Sequence, residues 1–593
     1  KWVGWKEIWI PLSIFEANYN PDFSKVTDIK MSSSGWDMDP NSETILNFDS
    51  ILFTKAKFDF NLKSIPDEQY SYILDRLVQT MILNITDVPD RSSLYFMLSS
   101  IAEDAKNLYD KIDKTRENNL FGYEIKASSD MRNVYIDIRR LAMGYNIKGS
   151  GIYQSSELLN EIIKALDYMH NNYYTKRSEK LFTIDNWWDW EIGASNEIVK
   201  ILAMIRRNLT QDQINKYLEP VNKYVPIPGN YIANTLSLAY TSIFTAALQK
   251  DYKKIAISVE MIGDVLDKVE NGEGIYEDGS FLQHLFFAYN GGYENELLRC
   301  YASIGYCLDG TYFSFSEYYQ DEIYKLVINS FLPFIYKGAF FDLIRGRNID
   351  RNEYGISTTK ETMNSFSLVM EYLSNKEHKN NLQSLVRYIY NTNESYYQSY
   401  LSPLTLKIIN NTVNINPKKL DDFAKIYSRM DKVISQNNEI GIGISLSSSR
   451  IGKYEAINGE NLDGWYSGDG MTYVYLDPND YAMNYWKYVN HYRLPGTTVS
   501  TELRQKMTSK GKESLTPYDF VGGAYYGKNA AVAMKFSSAY PNAGYTSTLM
   551  GNKGYFLFDN VLVCVGNNIS SSDEYNIETI IENRILDASY YNN

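Results

Sequence analysis

The chain has 593 residues, of which 44% are hydrophobic and 15% aromatic, and carries 59 basic against 72 acidic side chains for a formal net charge of −13. That length exceeds one ordinary core and predicts two or three domains, while the apolar share excludes a disordered chain. The acidic balance argues against nucleic acid and anionic membrane as partners, because both require a basic face. A polyanionic ligand would therefore have to meet cations gathered in one cleft. Tyrosine supplies most of the aromatic share, with 52 residues. Its flat apolar face and polar tip suit sugar rings, although a genome rich in Tyr, Asn, Ile and Lys gives the same composition. Three cysteines, Cys300, Cys307 and Cys564, exclude a disulfide scaffold, and the first two read as small core residues of one helical stretch. No run of about 18 apolar residues occurs, so no membrane span is expected. The chain opens at Lys1-Trp2-Val3 without a methionine or leader pattern, as expected of a processed or truncated piece of a longer precursor.

Residues 1–58 read as β-rich, with short strand-like runs such as Val26 to Met31 and Asn47 to Phe53 between turn residues. They suit either the end of a carbohydrate-binding module or an extension wrapped on the next domain. From 59 to 436 helical spacing dominates, as in Tyr70-Ile73-Leu74-Leu77 and Ile198-Ile201-Leu202-Ile205, with further amphipathic stretches at 234–248, 253–268, 295–306, 319–331, 360–374 and 417–434. No fixed-period repeat is present, which favours an α/α toroid over a solenoid. From 437 to 593 the period becomes two, as in Gly441 to Ser447, Ala530 to Phe536 and Gly554 to Asp559. The expectation is a multidomain α + β chain in which an N-terminal α/α toroid precedes a large, C-terminally truncated antiparallel β-sandwich domain.

Five local patterns carry chemistry. Asn186-Trp187-Trp188-Asp189-Trp190 precedes a helix, and three tryptophans within four residues cannot all face a core, so at least one is expected to be exposed for stacking. Gly229 to Asn234 opens a helix, and there Asn234 alone reads as a helix cap. Asp278 to His284 presents one of only four histidines in the chain, followed nine residues later by Tyr293 after a Gly291-Gly292 break. Arg345-Gly346-Arg347-Asn348-Ile349-Asp350-Arg351 places three arginines within seven residues, a fork-like site for carboxylate or sulfate and the best candidate for the required cationic cleft. Asn458 to Met471, dense in Gly, Asn and acids, reads as a loop at a domain interface.

Taken in order, and with Thr579-Ile580-Ile581-Glu582-Asn583-Arg584 near the end, these blocks resemble polysaccharide lyase family 8, which includes hyaluronate, chondroitin AC and xanthan lyases. The resemblance spans about residues 60 to 590 and implies a toroid followed by β-sandwich domains with a cleft between them. It implies catalytic roles for Asn234, His284, Tyr293 and Arg347, with Glu460 bracing the arginine and the histidine. Substrate contacts fall on Asn186, Trp187, Trp188, Arg345, Arg351 and Asn461. Where hyaluronate lyases carry a third aromatic, this chain has Pro228, with Tyr231 nearest. The implied enzyme is secreted or cell-surface, bacterial and monomeric, and acts on an anionic polysaccharide. It needs no cofactor or catalytic metal, with room left for a structural calcium ion.

The implied chemistry is β-elimination across the C4 bond of a uronate. The C5 proton lies beside a carboxylate and becomes removable once donors neutralise that group, which Asn234 and His284 would do. Either Tyr293 is the base, its phenol drawn down by Arg347, or His284 is the base and Tyr293 the acid. Two rivals remain at this stage: a toroid glycoside hydrolase using carboxylates such as Asp189, Glu191 and Asp278, and a non-catalytic carbohydrate-binding protein.

Overall fold

A computed structural model describes residues 65–585, apart from 117–118, 176–180, 183, 226–231, 352 and 483. The β-rich segment expected at 1–58 lies outside the described residues, as do Pro228 and Tyr231.

The first domain is helical. Its elements begin with α1 (Asp67–Gln79), α2 (Ser93–Lys111), α3 (Ser128–Asn146), α4 (Ser156–Asn172), α5 (Ser195–Ile205), α6 (Gln211–Tyr224) and α7 (Ala233–Gln249). They continue with α8 (Tyr252–Gly263), α9 (Tyr293–Leu308), α10 (Glu317–Leu326), α11 (Gly355–Tyr372), α12 (Lys376–Thr392), α13 (Glu394–Tyr400) and α14 (Pro403–Asn410). Side-chain caps start many of them: Ser92, Ser155, Ser316 and Ser402 each accept a backbone N–H of the first turn, and Thr210 with Gln213 forms a reciprocal box. The apolar stripe of α4, Leu158, Ile162, Ala165, Leu166 and Met169, is buried as its spacing predicts, whereas α7 is buried almost all round because nearly every position is apolar or small.

Packing closes these helices into a ring. α2 touches α3, α3 touches α5, α5 touches α7, α7 touches α9, α9 touches α11, α11 touches α14, and α14 returns to α2. Helices α4, α6, α8 and α12 pack on ring members from α3 to α11. Contacts between α5, α7 and α9 rise together in sequence, so these three run parallel: Asn196 bonds Thr241, Ser237 bonds Glu296, and Arg299 lies over the Tyr240 ring. α1 packs near their C-terminal ends, where Asp75 pairs with Arg206, Asp67 with Lys250, and Gln79 with Tyr306. It floors the ring at the end opposite the N-termini of α7 and α9. This is the expected α/α toroid.

Between helices, β1 (Gly274–Ile275), β2 (Phe281–Gln283) and β3 (Phe287–Ala288) form a small antiparallel sheet, and β4 (Ile335–Tyr336) pairs with β5 (Ala339–Phe340). The second domain contains an antiparallel sheet of β6 (Phe423–Tyr427), β7 (Lys432–Gln436), β8 (Gly441–Ser445) and β9 (Met471–Tyr475). After β10 (Thr498–Ser500), a second antiparallel sheet joins β11 (Val521–Tyr526), β12 (Asn529–Ser537), β13 (Met550–Phe558) and β14 (Val561–Ser570). β15 (Ile577–Thr579) returns to pair with β10. Ile426, Val433, Ile442 and Ile444 from one sheet meet Val532, Met534, Phe536 and Leu557 from the other, the core of a sandwich.

One boundary differs from expectation. Residues 417–434, read as a helix, contain the β6–β7 hairpin, and the domain change falls between Asn410 and Phe423 instead of at 436. Phe423, Ile426, Tyr427, Met430, Val433 and Ile434 fit a helical stripe, but Asp431 turns left-handed at φ 52° and cross-strand pairing overrides the helical period. The toroid meets this sheet through β4–β5 and the following loop: Phe341 packs edge-on against Tyr475 at 4.7 Å, and the Tyr475 hydroxyl accepts from the Asp342 N–H at 3.1 Å.

Candidate active site

His284 sits in the turn between β2 and β3, where it and Leu285 adopt φ of 51° and 69°, a left-handed pair rare outside glycine. The turn is held from both domains. Leu285 N–H donates to Glu273 at 3.0 Å, and Gly452 N–H of the β domain donates to the Phe286 carbonyl at 2.9 Å. This geometry carries the imidazole to Tyr293, the first residue of α9, with ring centroids 5.1 Å apart and the rings nearly perpendicular.

Arg347 is the hub. Its Nη2 donates to the Tyr293 hydroxyl at 3.1 Å, its Nη1 to the Tyr289 hydroxyl at 3.1 Å and to Glu455 at 2.5 Å, and its Nε to Glu460 at 2.8 Å. Glu460 also accepts from Arg351 Nε at 2.7 Å and Nη2 at 3.1 Å. Glu455, only 1% exposed, takes the His284 Nδ1, the Tyr289 hydroxyl and the Arg347 guanidinium together. An ionised carboxylate only accepts, so Nδ1 carries the hydrogen and Nε2 is the imidazole nitrogen left to a ligand.

Asn234 is the second residue of α7, one turn before Ser237, while Tyr293 lies one turn before Glu296 on the parallel α9. The Ser237–Glu296 hydrogen bond therefore sets Asn234 and Tyr293 at matching first-turn positions of neighbouring helices. Asn234 is not the cap expected from sequence, since the helix begins at Ala233. On the next ring position, Trp187 is 41% exposed, Trp188 is half-buried beneath Arg132 at 5.6 Å and beside Leu238 of α7, and Trp190 is 2% exposed in the core. Asn186 is exposed, and its Oδ1 accepts from the Trp188 N–H at 3.2 Å.

Burial raises the Tyr293 phenol and outweighs the opposing pull of Arg347, so the expectation of a net downward shift is not met. Burial also pushes the Glu455 carboxyl up, but His284, Arg347 and Tyr289 together hold it below the usual range. Glu460 is likewise held low, by Arg351 and Arg347 against burial. The Arg347 guanidinium is kept charged: burial opposes this, and Tyr289, Glu455 and Tyr293 override it. Two arginines thus face two carboxylates, and the expected cationic cleft is neutralised at its centre.

Two expected substrate contacts stand elsewhere. Arg345 is 1% exposed and donates to Asp342 at 2.7 Å and to the Glu353 carbonyl at 2.7 Å, while Asp342 also accepts from the Trp486 indole at 2.7 Å. Arg345 therefore shapes the loop from beneath. Asn461 is buried, and its side-chain amide donates to the Glu455 carbonyl at 2.9 Å. Glu460 was expected to brace both the arginine and the histidine, but Glu455 takes the histidine. Sequence reasoning passed over Glu455 and Tyr289, because the partners that give them meaning, His284 and Arg347, lie far off along the chain. Of the carboxylates a hydrolase would need, Asp189 is buried against Ser128 and Arg132, and Asp278 accepts from the Ser280 and Arg429 backbones, while burial raises the Glu191 carboxyl. Among the described residues no group of three or more His, Cys, Asp or Glu could hold a metal ion, and no helix is long and apolar enough to cross a membrane.

Comparison with known proteins agrees with this geometry. Residues 79–388 match the N-terminal alpha-helical domain of polysaccharide lyase family 8, and residues 422–593 match that family's super-sandwich domain. The polysaccharide lyase 8 family protein HylA of Enterococcus faecalis is 30% identical over 483 residues, covering 78% of this chain and 34% of the relative. Hyaluronate lyase HylB of the same organism is 30% identical over 499 residues, covering 78% of this chain and 49% of the relative. A solved xanthan lyase from Paenibacillus superposes with a TM-score of 0.79 at 28% identity, covering 88% of this chain and 50% of that one. The chain spans about a third to a half of the length of these proteins.

Proposed function

The chain belongs to polysaccharide lyase family 8, and on that premise we propose that it cleaves a uronic-acid-containing polysaccharide, such as a glycosaminoglycan or xanthan, by β-elimination to leave an unsaturated uronide. The observation that carries this reading is the shared guanidinium of Arg347, which touches the phenol of Tyr293 on one side and two β-domain carboxylates on the other, with His284 beside the same phenol. This arrangement can hold a proton at one atom and return it to a neighbour, without the paired free acids that hydrolysis requires.

The uronate carboxylate is received beside the N-terminal ends of the parallel helices α7 and α9, whose dipoles favour an anion, by the Asn234 amide and by His284, which donates from Nε2 when the imidazole carries a hydrogen on both nitrogens. Trp187 and Trp188 stack the sugar faces along the rim, and Arg351 offers a cation to a flanking acidic group. With the carboxylate neutralised, Tyr293, as the phenolate that Arg347 Nη2 stabilises after its proton has gone to solvent, takes the C5 proton, and the phenol so formed passes that proton to the leaving C4 oxygen as the C4–O bond breaks. A second reading is favoured by the raised Tyr293 phenol and by Glu455 on His284 Nδ1. In it, His284 Nε2 takes the proton and Tyr293 acts only as the acid. A polymer of this size does not cross a membrane, which supports a secreted or cell-surface bacterial enzyme.

The test is a panel of hyaluronan, chondroitin sulfate, xanthan and a neutral glucan, followed by ultraviolet absorbance and product mass. A conjugated, absorbing product lighter by one water than the hydrolysis product is expected from at least one uronate polymer. Cleavage without absorbance would establish hydrolysis, and binding without chain shortening would establish a non-catalytic protein.

A further inference from the structure

Tyr289 has no place in the chemistry described above, yet its hydroxyl is fully engaged in the centre. It is fully buried, at 0% exposure, and so touches no substrate. A phenol has one hydrogen to donate and two lone pairs to accept with. Tyr289 uses all three: it donates to Glu455, and it accepts from the Arg347 backbone N–H at 3.0 Å and from Arg347 Nη1 at 3.1 Å. Its backbone is fixed as firmly. Its N–H donates to the Phe281 carbonyl at 3.1 Å, and its carbonyl accepts from Gly292 and Glu294, the residues on either side of Tyr293, at 3.1 Å each. Its ring stands edge-on to the Tyr293 ring at 4.9 Å.

The chain around Tyr289 is built to admit that ring. A Cβ on Gly292 would come within 2.6 Å of its Cδ1, and a Cβ on Gly346, whose φ is 55°, would run into its Cζ. The two glycines thus bring the start of α9 and the arginine loop down onto one phenol, Gly292 nearest its Cδ1 and Gly346 nearest its Cζ. A buried tyrosine needing only a hydrogen-bond partner would not require two converging backbones without side chains.

We infer that Tyr289 is a positioning residue for the elimination: its hydroxyl holds the Arg347 guanidinium and the Glu455 carboxylate in register, so that Nη2 stays on the Tyr293 oxygen. The inference rests on the proposed lyase reading. Without the hydroxyl, Nη1 retains only Glu455, the guanidinium settles toward that carboxylate, and the charge opposite Tyr293 weakens while substrate contacts persist.

The experiment compares wild-type protein, Tyr289→Phe and Tyr301→Phe. Tyr301 is an equally buried tyrosine whose hydroxyl donates to the Ile262 carbonyl at 2.5 Å, far from Arg347 in sequence and contacts. For Tyr289→Phe, which removes the hydroxyl's bonds to Glu455 and to Arg347 together, kcat is expected to fall by about ten- to a hundredfold, with KM within about twofold. The acid limb of the kcat profile is expected to move up by about one pH unit. Tyr301→Phe is expected to keep both kcat and the profile, whatever it does to the melting temperature. A Tyr289→Phe enzyme with wild-type kcat and an unmoved profile overturns the inference. So does a loss of activity equal in the two variants and proportional to their loss of folding. Failure of the wild-type protein to form an unsaturated product overturns the lyase reading instead, a result separable because it appears before any variant is compared.

Discussion

Replacing Arg347 with lysine keeps a positive charge but removes the fork that reaches four groups at once. In the native site Nη2 lies 3.1 Å from the Tyr293 oxygen. At that distance a full charge on the phenolate would be stabilised by about 5 kcal/mol at an effective dielectric of about 20. Glu455 and Glu460 offset part of this, since both sit on the same guanidinium. A net contribution of about 3 kcal/mol corresponds to a rate loss of roughly 100- to 200-fold. A lysine ammonium drawn to Glu455 loses the phenol, so kcat should fall by that factor with KM little changed. The sign on pH is fixed: the phenol acts as base when deprotonated, Arg347 favours that form, and its loss moves the acid limb to higher pH. The assay is initial rate by ultraviolet absorbance across a pH series. A fall in rate with the acid limb unmoved would refute the Tyr293-base argument and assign the limb to His284. A rate within about fivefold of wild type would refute the role of Arg347 altogether.

Tyr293→Phe should lower kcat by at least about 100-fold under either proton assignment while the thermal melt stays within a few degrees, checked by the same assay and by calorimetry. Asn234→Ala should cost roughly 100- to 1000-fold in kcat, the usual effect of one donor lost from a developing anion. Trp187→Ala should raise KM for long polymer by about two- to tenfold and leave short oligosaccharides nearly unchanged, as expected of a stacking platform at the rim. Glu455 and Glu460 are held low in the fold, so the stability they contribute is present above the unfolded value of about 4.3 and is lost as pH falls through their folded values. Melting temperature should therefore decline on acidification below about pH 4.3, and Glu460→Gln should flatten that decline.

Much of the centre could be read from the chain because its parts are local. His284 and Tyr293 are nine residues apart across a glycine break, and Arg347 and Arg351 are one helical turn apart, so each block announces itself. Glu455 did not, because its meaning depends on His284, 171 residues earlier, and no local pattern encodes that contact. Arg345 was misread for the same reason. Three arginines in a row look alike in sequence, and only Asp342 and the Trp486 indole reveal that the first points into the interior. The stretch 417–434 misled differently, since its apolar positions satisfy two periods and the pairing partner decides between them.

The charges at the centre come from both halves of the chain. Arg347 and His284 belong to the ring of helices, and Glu455 and Glu460 belong to the sheet domain. Parting the halves would break all of these pairs at once and hand each ion back to water. The seam between the halves is thus spring-loaded shut. Any motion that widened it by a few ångströms would take the guanidinium's anchors away from the phenol.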